Sequence, residues 1–406
     1  MSLRLPPDHL SPETLLVRGG TDRSRFGETS EALFLTSGYV YDSPESAARR
    51  FTGEEPGFVY SRYSNPTLAM LAERLRLMEG AETCHLTASG MAAVYAAMLC
   101  HVRTGDHVVS ARALFGSCHY ILSTILPRFG VEVTFVDGTD LAAWRAAFRP
   151  TTKLAFCESP ANPTLELVDI AAVAEIAHRH GARLVVDNVF ATPLYQKPLA
   201  LGADVVTYST TKHIDGQGRC LGGAILCDDA FGKAEIEPFL RHTGPALSPF
   251  NAWVMLKGLE TLPLRVERMT NSAAAVADAL AAMPGVTRLL YPHHPSFPQR
   301  DLALRQMQRG STLVAFEVAG GRTGAFAFLN ALKLIDISNN LGDSKSLITH
   351  PPTTTHRAMP EADRLALGIT EGFLRLSVGL EAASDLIADL ARGAEAVVAL
   401  TRKAAE

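Results

Sequence analysis

The chain has 406 residues, 47% of them hydrophobic and 20% charged, enough apolar material for a large core divided among roughly two to three domains. Lys and Arg number 38 against 42 Asp and Glu, a formal net charge of -4, so the basic footprint of a nucleic-acid binder is missing. No run approaches the ~18 apolar residues of a spanning helix and the opening residues carry no apolar signal core, so a cytoplasmic protein without membrane or nucleic-acid partners is expected.

Residues 1–60 are rich in Gly, Pro, Ser and Arg with weak periodicity, and read as an N-terminal arm rather than a core-building unit. At Asn65 the signals sharpen. Asn65 is a helix N-cap, Pro66 suits the first helical position, Leu68, Leu71, Ala72, Leu75 and Met78 share a face, and Gly80 ends the helix. A second helix is predicted from Ser89 to Val102. Short apolar strands then alternate with helices: His107–Ser110, Val131–Val136, Leu154–Cys157, Leu184–Val186, Val205–Tyr208 and Ala224–Cys227. This rhythm predicts an α/β domain with a largely parallel sheet covered on both faces, over residues 61–255.

Residues 256–406 read as a smaller α+β domain. Its neighbourhood carries helical stretches at Trp253–Met269 and Ala273–Met283, a strand at Thr312–Val318, a helix at Thr323–Leu332, a strand at Phe373–Val378, and a last helix capped by Ser384 or Asp385. The six cysteines show no C-x-x-C pair and fit free thiols in a reducing compartment. No metal site is expected. Cys220, Cys227 and His213 lack zinc-knuckle spacing, and Pro351-Pro352 denies His350 and His356 a helical geometry.

Ligands of open α/β sheets sit beyond the carboxyl ends of the strands, which directs attention to three segments. Leu184-Val185-Val186 runs into Asp187-Asn188, a carboxylate at a buried rim that needs a cationic partner or else serves as a cap. Val205–Tyr208 is followed by Ser209-Thr210-Thr211-Lys212, three hydroxyls and an amine, where the lysine is a solvated side chain, a phosphate anchor or a nucleophile. Thr87-Ala88-Ser89-Gly90-Met91 opens a helix whose N–H groups can hold an anion, although simple N-capping explains it equally well. Together, an anion cradle, an amine and a carboxylate at neighbouring strand ends match the needs of pyridoxal 5'-phosphate: hydroxyls and a helix terminus for the phosphate, a lysine for the aldehyde, a carboxylate for the pyridine nitrogen.

Over nearly its whole length the sequence resembles the Cys/Met-metabolism branch of the fold-type I pyridoxal-phosphate enzymes. The matching segments include Tyr60-Ser61-Arg62-Tyr63-Ser64-Asn65-Pro66-Thr67, Ser89-Gly90-Met91, Glu158-Ser159-Pro160-Ala161-Asn162-Pro163, Asp187-Asn188-Val189-Phe190, Ser209-Thr210-Thr211-Lys212 and Leu374-Arg375-Leu376-Ser377-Val378-Gly379-Leu380-Glu381. Within the family, Leu114–Cys118, Lys212–Gly218, Ser338–Asp343 and Ile348–Pro351 are most like segments of enzymes that act on O-succinylhomoserine with sulfide. The resemblance implies an aspartate-aminotransferase-like fold and a homotetramer of active-site dimers. It also implies that Lys212 forms an imine with the cofactor, Asp187 pairs with its pyridinium, and Asn162 meets the ring hydroxyl. Ser89, Gly90, Met91, Ser209 and Thr211 would hold the phosphate, joined by Tyr60 and Arg62 from an adjacent subunit. Arg375 would bind the substrate carboxylate, a task suited to its planar fork, and Asn340 would stand beside the substrate where many relatives have Ser.

Many relatives also carry Tyr where this chain has Phe115, which keeps ring stacking and loses the acid. That departure suits an O-acylhomoserine, whose carboxylate leaves as an anion, better than a thiol leaving group. The implied reaction is γ-replacement giving homocysteine. Cystathionine γ-synthase, O-acetylhomoserine sulfhydrylase, methionine γ-lyase and a non-catalytic pyridoxal-phosphate-binding protein remain open at this point.

Overall fold

The computed structural model describes residues 9–405. The larger sheet contains β1 (Thr83–Thr87), β2 (His107–Ala111), β3 (Glu132–Val136), β4 (Thr152–Glu158), β5 (Arg183–Asp187), β6 (Val205–Ser209) and β7 (Gly223–Cys227), in the order β1-β7-β6-β5-β4-β2-β3. The neighbours from β6 through β5, β4 and β2 to β3 pair in parallel, while β7 runs antiparallel to both β1 and β6. Period-two alternation sends side chains of one strand into two cores. Leu154 and Phe156 of β4 join the cluster under helix Gly90–Leu99, and Ala155 and Cys157 join the one under helix Ile170–Arg179.

The first long helix follows its punctuation. Asn65 Oδ1 accepts from Thr67 N at 2.9 Å, Pro66 opens Pro66–Glu79, and Gly80 closes it in the left-handed region at φ +83°. Leu71, Leu75 and Met78 of the expected face are buried, Leu68 and Ala72 are half-buried, and Met70, off that face, is buried too, as is Arg74, which apolar periodicity does not reveal. The Arg74 guanidinium pairs with Glu31, and its Nε donates to Gly19 O at 2.9 Å.

The first 60 residues differ from a plain arm. Pro12–Arg18 and Pro44–Thr52 are helical, and Leu16 lies fully buried in the core shared by Pro66–Glu79 and Pro249–Glu260. Two leucines in succession on a seven-residue helix were too little periodicity to read.

A smaller sheet follows, with β8 (Val286–Leu290), β9 (Leu313–Val318), β10 (Asp336–Ile337), β11 (Leu347–Thr349) and β12 (Phe373–Ser377) ordered β10-β11-β12-β9-β8 and antiparallel except for β10 with β11. The helices entering it break at Thr261, giving Pro249–Glu260 and Leu262–Ala282, rather than near residue 270. Pro263 has no N–H to donate and is tolerated only in a first turn, so it marks a start inside the stretch read as one helix. Leu262 and Val266 pack in the large sheet's core and Ala273, Val276 and Leu280 in the small sheet's, so one helix ties the two together. The final helix is Ala383–Ala405; it begins one residue ahead of Ser384, whose hydroxyl contacts Asp385 instead of capping.

Candidate active site

A cavity of about 520 Å³ lies beyond the carboxyl ends of β4, β5 and β6, with Arg375 of β12 in its wall. Ser89, Gly90, Met91, Phe115, Asn162, Asp187, Ser209, Thr211, Lys212 and Arg375 all line it. The larger sheet's topology accounts for the convergence, because parallel neighbours end on the same side: Glu158 lies opposite Asp187 and Asp187 opposite Thr207.

Ser89 caps helix Gly90–Leu99 with its Oγ accepting from Ala92 N at 3.2 Å, which aims the free N–H groups of the first turn at the cavity. Gly90 permits the end of β6 to touch that turn, since a Cβ there would stand 2.5 Å from Ser209 Cβ. Thr211 Oγ1 accepts from Gly222 N at 3.1 Å, fixing the turn that carries Lys212.

Lys212 Nζ donates to Asn340 Oδ1 at 2.7 Å. Burial and the nearby positive charge of Arg375, opposed by Asp187, lower its ammonium from 10.5 to about 8. The loop bearing Asn340 reaches it through Gly342, at φ +70°, where a Cβ would stand 2.7 Å from His213 N. Asp187 is pushed upward by burial, against the Val189 N–H at 3.1 Å and the Lys212 charge. An acid in that position is short of a cationic partner.

Arg375 of β12 is 1% exposed. Its Nη1 donates to Asn162 Oδ1 at 2.8 Å, its Nη2 to Asn339 O at 2.9 Å and Asn340 O at 3.3 Å, and its Nε is buried with no partner among the described residues. A buried guanidinium with a free donor at a cavity wall favours an incoming anion.

Two expected residues lie elsewhere in this chain. Tyr60 is exposed, and Arg62 stacks against Tyr60 and Tyr63 while its Nη1 donates to Arg241 O; neither lines the cavity. Asn340 accepts from the cavity-lining Lys212 and is not itself among the residues lining the cavity. Glu158, noted above only as part of a motif, lines the cavity as a buried carboxyl, and Thr354 and Thr355 line it from the segment after β11. Reading Glu158 as the last residue of its strand, as with Asp187, would have found it.

A large, mostly parallel sheet, a small antiparallel partner and a strand-end lysine between them define a fold-type I pyridoxal-phosphate enzyme. A solved O-acetylhomoserine (thiol)-lyase, described as putative, from Campylobacter jejuni superposes with a TM-score of 0.91 at 32% identity, covering 95% of this chain and 100% of that one, and it contains a pyridoxyl-lysine phosphate. The pattern for Cys/Met metabolism PLP-dependent enzymes matches residues 13–395, and the chain belongs to that family. It is 54% identical over 400 residues to the O-succinylhomoserine sulfhydrylase of Mycobacterium tuberculosis, covering 96% of this chain and 98% of the relative. It is 50% identical over 385 residues to that of Pseudomonas aeruginosa, covering 95% of each. Pyridoxal phosphate is therefore its cofactor, and the donor set fits it: a helix N-terminus backed by hydroxyls, a buried acid lacking a cation, and an amine with a depressed pKa. No helix among the described residues is long and apolar enough to cross a membrane.

Proposed function

We propose that the enzyme converts O-succinylhomoserine and sulfide to homocysteine and succinate, a γ-replacement of methionine biosynthesis, in the cytoplasm and as a homotetramer of two active-site dimers. The observation that carries the reading is the pairing of Lys212 with a fully buried, under-bonded Arg375 across one cavity, which supplies an amine and a carboxylate anchor for an amino acid. The names of the relatives at 50% and 54% identity support the succinyl ester.

Bound pyridoxal phosphate supplies an electron sink for the pair left when Cα loses its proton. Arg375 binds the substrate carboxylate through its fork and thereby orients Cα toward Lys212. Lys212, whose ammonium burial and Arg375 bring down to about 8, takes and returns the protons at Cα and Cβ. Asn340 receives its amine while it is free. Asp187 would hold a positive charge on the cofactor's ring nitrogen, Asn162 would contact its ring hydroxyl, and Phe115 would pack on its ring. Ser89, Ser209, Thr211 and the Gly90 and Met91 amides would hold the phosphate, and Tyr60 and Arg62 would reach in from the neighbouring subunit. Phe115 has no proton to give. A carboxylate with a pKa of about 4 departs with its electron pair unaided, whereas a thiolate with a pKa of about 8.5 benefits from an acid.

Steady-state assays that cross the succinyl and acetyl esters with sulfide and cysteine test the assignment. Homocysteine from the succinyl ester and sulfide should dominate kcat/KM by at least about tenfold, a 1.4 kcal/mol discrimination. Preference for the acetyl ester, cystathionine from cysteine, or release of methanethiol from methionine at comparable efficiency would each replace it with another member of the family.

A further inference from the structure

Glu158 ends β4 in register with Asp187 and is 4% exposed. Its two carboxylate oxygens divide their work. Oε1 accepts from Phe115 N at 2.7 Å and Oε2 from Asn162 N at 3.3 Å. These amides belong to different walls of the cavity: Phe115 opens the short helix Gly116–Tyr120, and Asn162 lies in the turn after β4. Asn162 in turn accepts from Arg375 Nη1 at 2.8 Å, so an unbroken chain of contacts runs from the Phe115 backbone through Glu158 and Asn162 to the guanidinium on the other sheet. Glu158, Asp187 and Cys118 place their polar atoms within 4.8 Å of one another.

Burying a carboxyl next to Asp187 is unfavourable, and both burial and that neighbour push its proton affinity upward. A glutamine at this position would avoid the repulsion but offer one acceptor and one donor, leaving an amide N–H facing an NH₂ group. Two convergent N–H donors require two acceptor oxygens. The need for both acceptors explains why an acid stands where its charge is costly.

We propose that Glu158 is a positioning residue: by accepting from the Phe115 and Asn162 amides together, it fixes the ring-facing wall and, through Asn162, the angle of Arg375. It acts without touching substrate. The inference rests on the reading of Arg375 as the carboxylate anchor, but not on the identity of the acyl group.

The test is a double-mutant cycle on the holoenzyme with glycine as probe, because glycine offers an amine and a carboxylate and no leaving group. Its dissociation constant is read from the change in visible absorbance, and the visible circular dichroism of the resting holoenzyme is recorded in parallel. Glu158→Gln should weaken glycine roughly tenfold, the low end for losing one hydrogen bond to a charged group, and should alter the visible dichroism. Asn162→Ala should weaken it by a similar factor, and the double variant should be little worse than either single one, since both break the same chain. If Glu158→Gln does not fold, Glu158→Asp, which retains both acceptors but shortens the reach, takes its place in the cycle. An unchanged glycine constant in the Glu158 variant, or factors that multiply in the double variant, overturns the proposal. A coupled cycle in an enzyme that ignores O-succinylhomoserine would instead retain Glu158 in this role and reject the proposed substrate.

Discussion

The capture of cofactor by the apoprotein should titrate with Lys212, since only the neutral amine attacks an aldehyde. Burial and Arg375 bring that amine from 10.5 to about 8. At pH 7 about 9% of it is then neutral, against about 0.03% for an unperturbed lysine, a difference of roughly 300-fold in reactive species. The assay mixes apoprotein with pyridoxal phosphate between pH 6 and 10 and follows the visible colour that borohydride fixes, divided at each pH by the rate constant of a free lysine analogue per mole of its neutral amine, so that the reagent's own titration cancels and the analogue's does not enter. The normalised rate should rise with pH and level off with a midpoint near 8. The two charges that flank Lys212 act in opposite senses, which fixes the direction of two further shifts. Arg375→Gln removes a like charge and should move the midpoint upward, while Asp187→Asn removes an opposite charge and should move it downward. A wild-type midpoint at 10 or above, or movement of both variants in the same direction, would refute the electrostatic account.

Arg375→Lys keeps the charge but loses the fork, and should raise KM for the ester by about 10- to 150-fold, the equivalent of about 1.5 to 3 kcal/mol, with a smaller effect on kcat; an unchanged KM would point to another anchor. Phe115→Tyr restores an acid beside the leaving group, so elimination from cystathionine should increase more than γ-replacement of the succinyl ester, and equal changes in both rates would leave the ring with stacking alone. Arg62→Ala and Lys212→Ala enzymes should each be impaired, and refolding them together should restore up to roughly a quarter of wild-type activity, because random pairing makes half the dimers mixed and each mixed dimer has one complete site. No recovery in verified mixed dimers would confine Arg62 to its own chain. Glu31→Ala leaves Arg74 buried and unpaired and should cost about 3 to 5 kcal/mol in urea unfolding. The Glu31 carboxyl is held at about 2 despite its burial, through hydrogen bonds from Lys257 and Arg74; because this lies below the unfolded value, the contribution is complete above about pH 4.5 and disappears as pH falls toward 2.

What the sequence made legible follows from how local each determinant is. Asp187 and Lys212 could be found because a buried strand announces itself by a short apolar run, and the residue after the run must stand at the rim. The Asn65, Pro66 and Gly80 signals act within one turn of the helix they bound, and the helix follows them. Arg74 gave no such signal. On a helix it reads as a polar interruption, and burial is made tolerable by partners distant in sequence, the Glu31 carboxylate 43 residues away and the carbonyls of Gly19 and Leu256. The break at Thr261 was missed for a related reason, since apolar periodicity runs through Leu262 and the information resided in what Pro263 cannot donate.

The active site divides along the same line. Residues that stand at their own strand ends are legible, Glu158 by the same rule as Asp187, whereas the contact of Asn340 with Lys212, 128 residues apart, depends on the small sheet meeting the large one, and the two amides that Glu158 accepts from depend on loops converging beneath the cavity. Arg62 presents a further level. Within one chain it is held by the carbonyl of Arg241, an exposed bond between a charged donor and a neutral acceptor. Such a bond competes with water and contributes little, while a phosphate in a partly closed cavity offers the same donor a full negative charge. In the proposed active-site dimer, exchanging the surface carbonyl for a neighbour's phosphate would therefore be downhill. A residue can have a partner in its own chain and still be available to another, and under that reading the affinity of two acceptors, more than its position in one subunit, would decide where Arg62 acts.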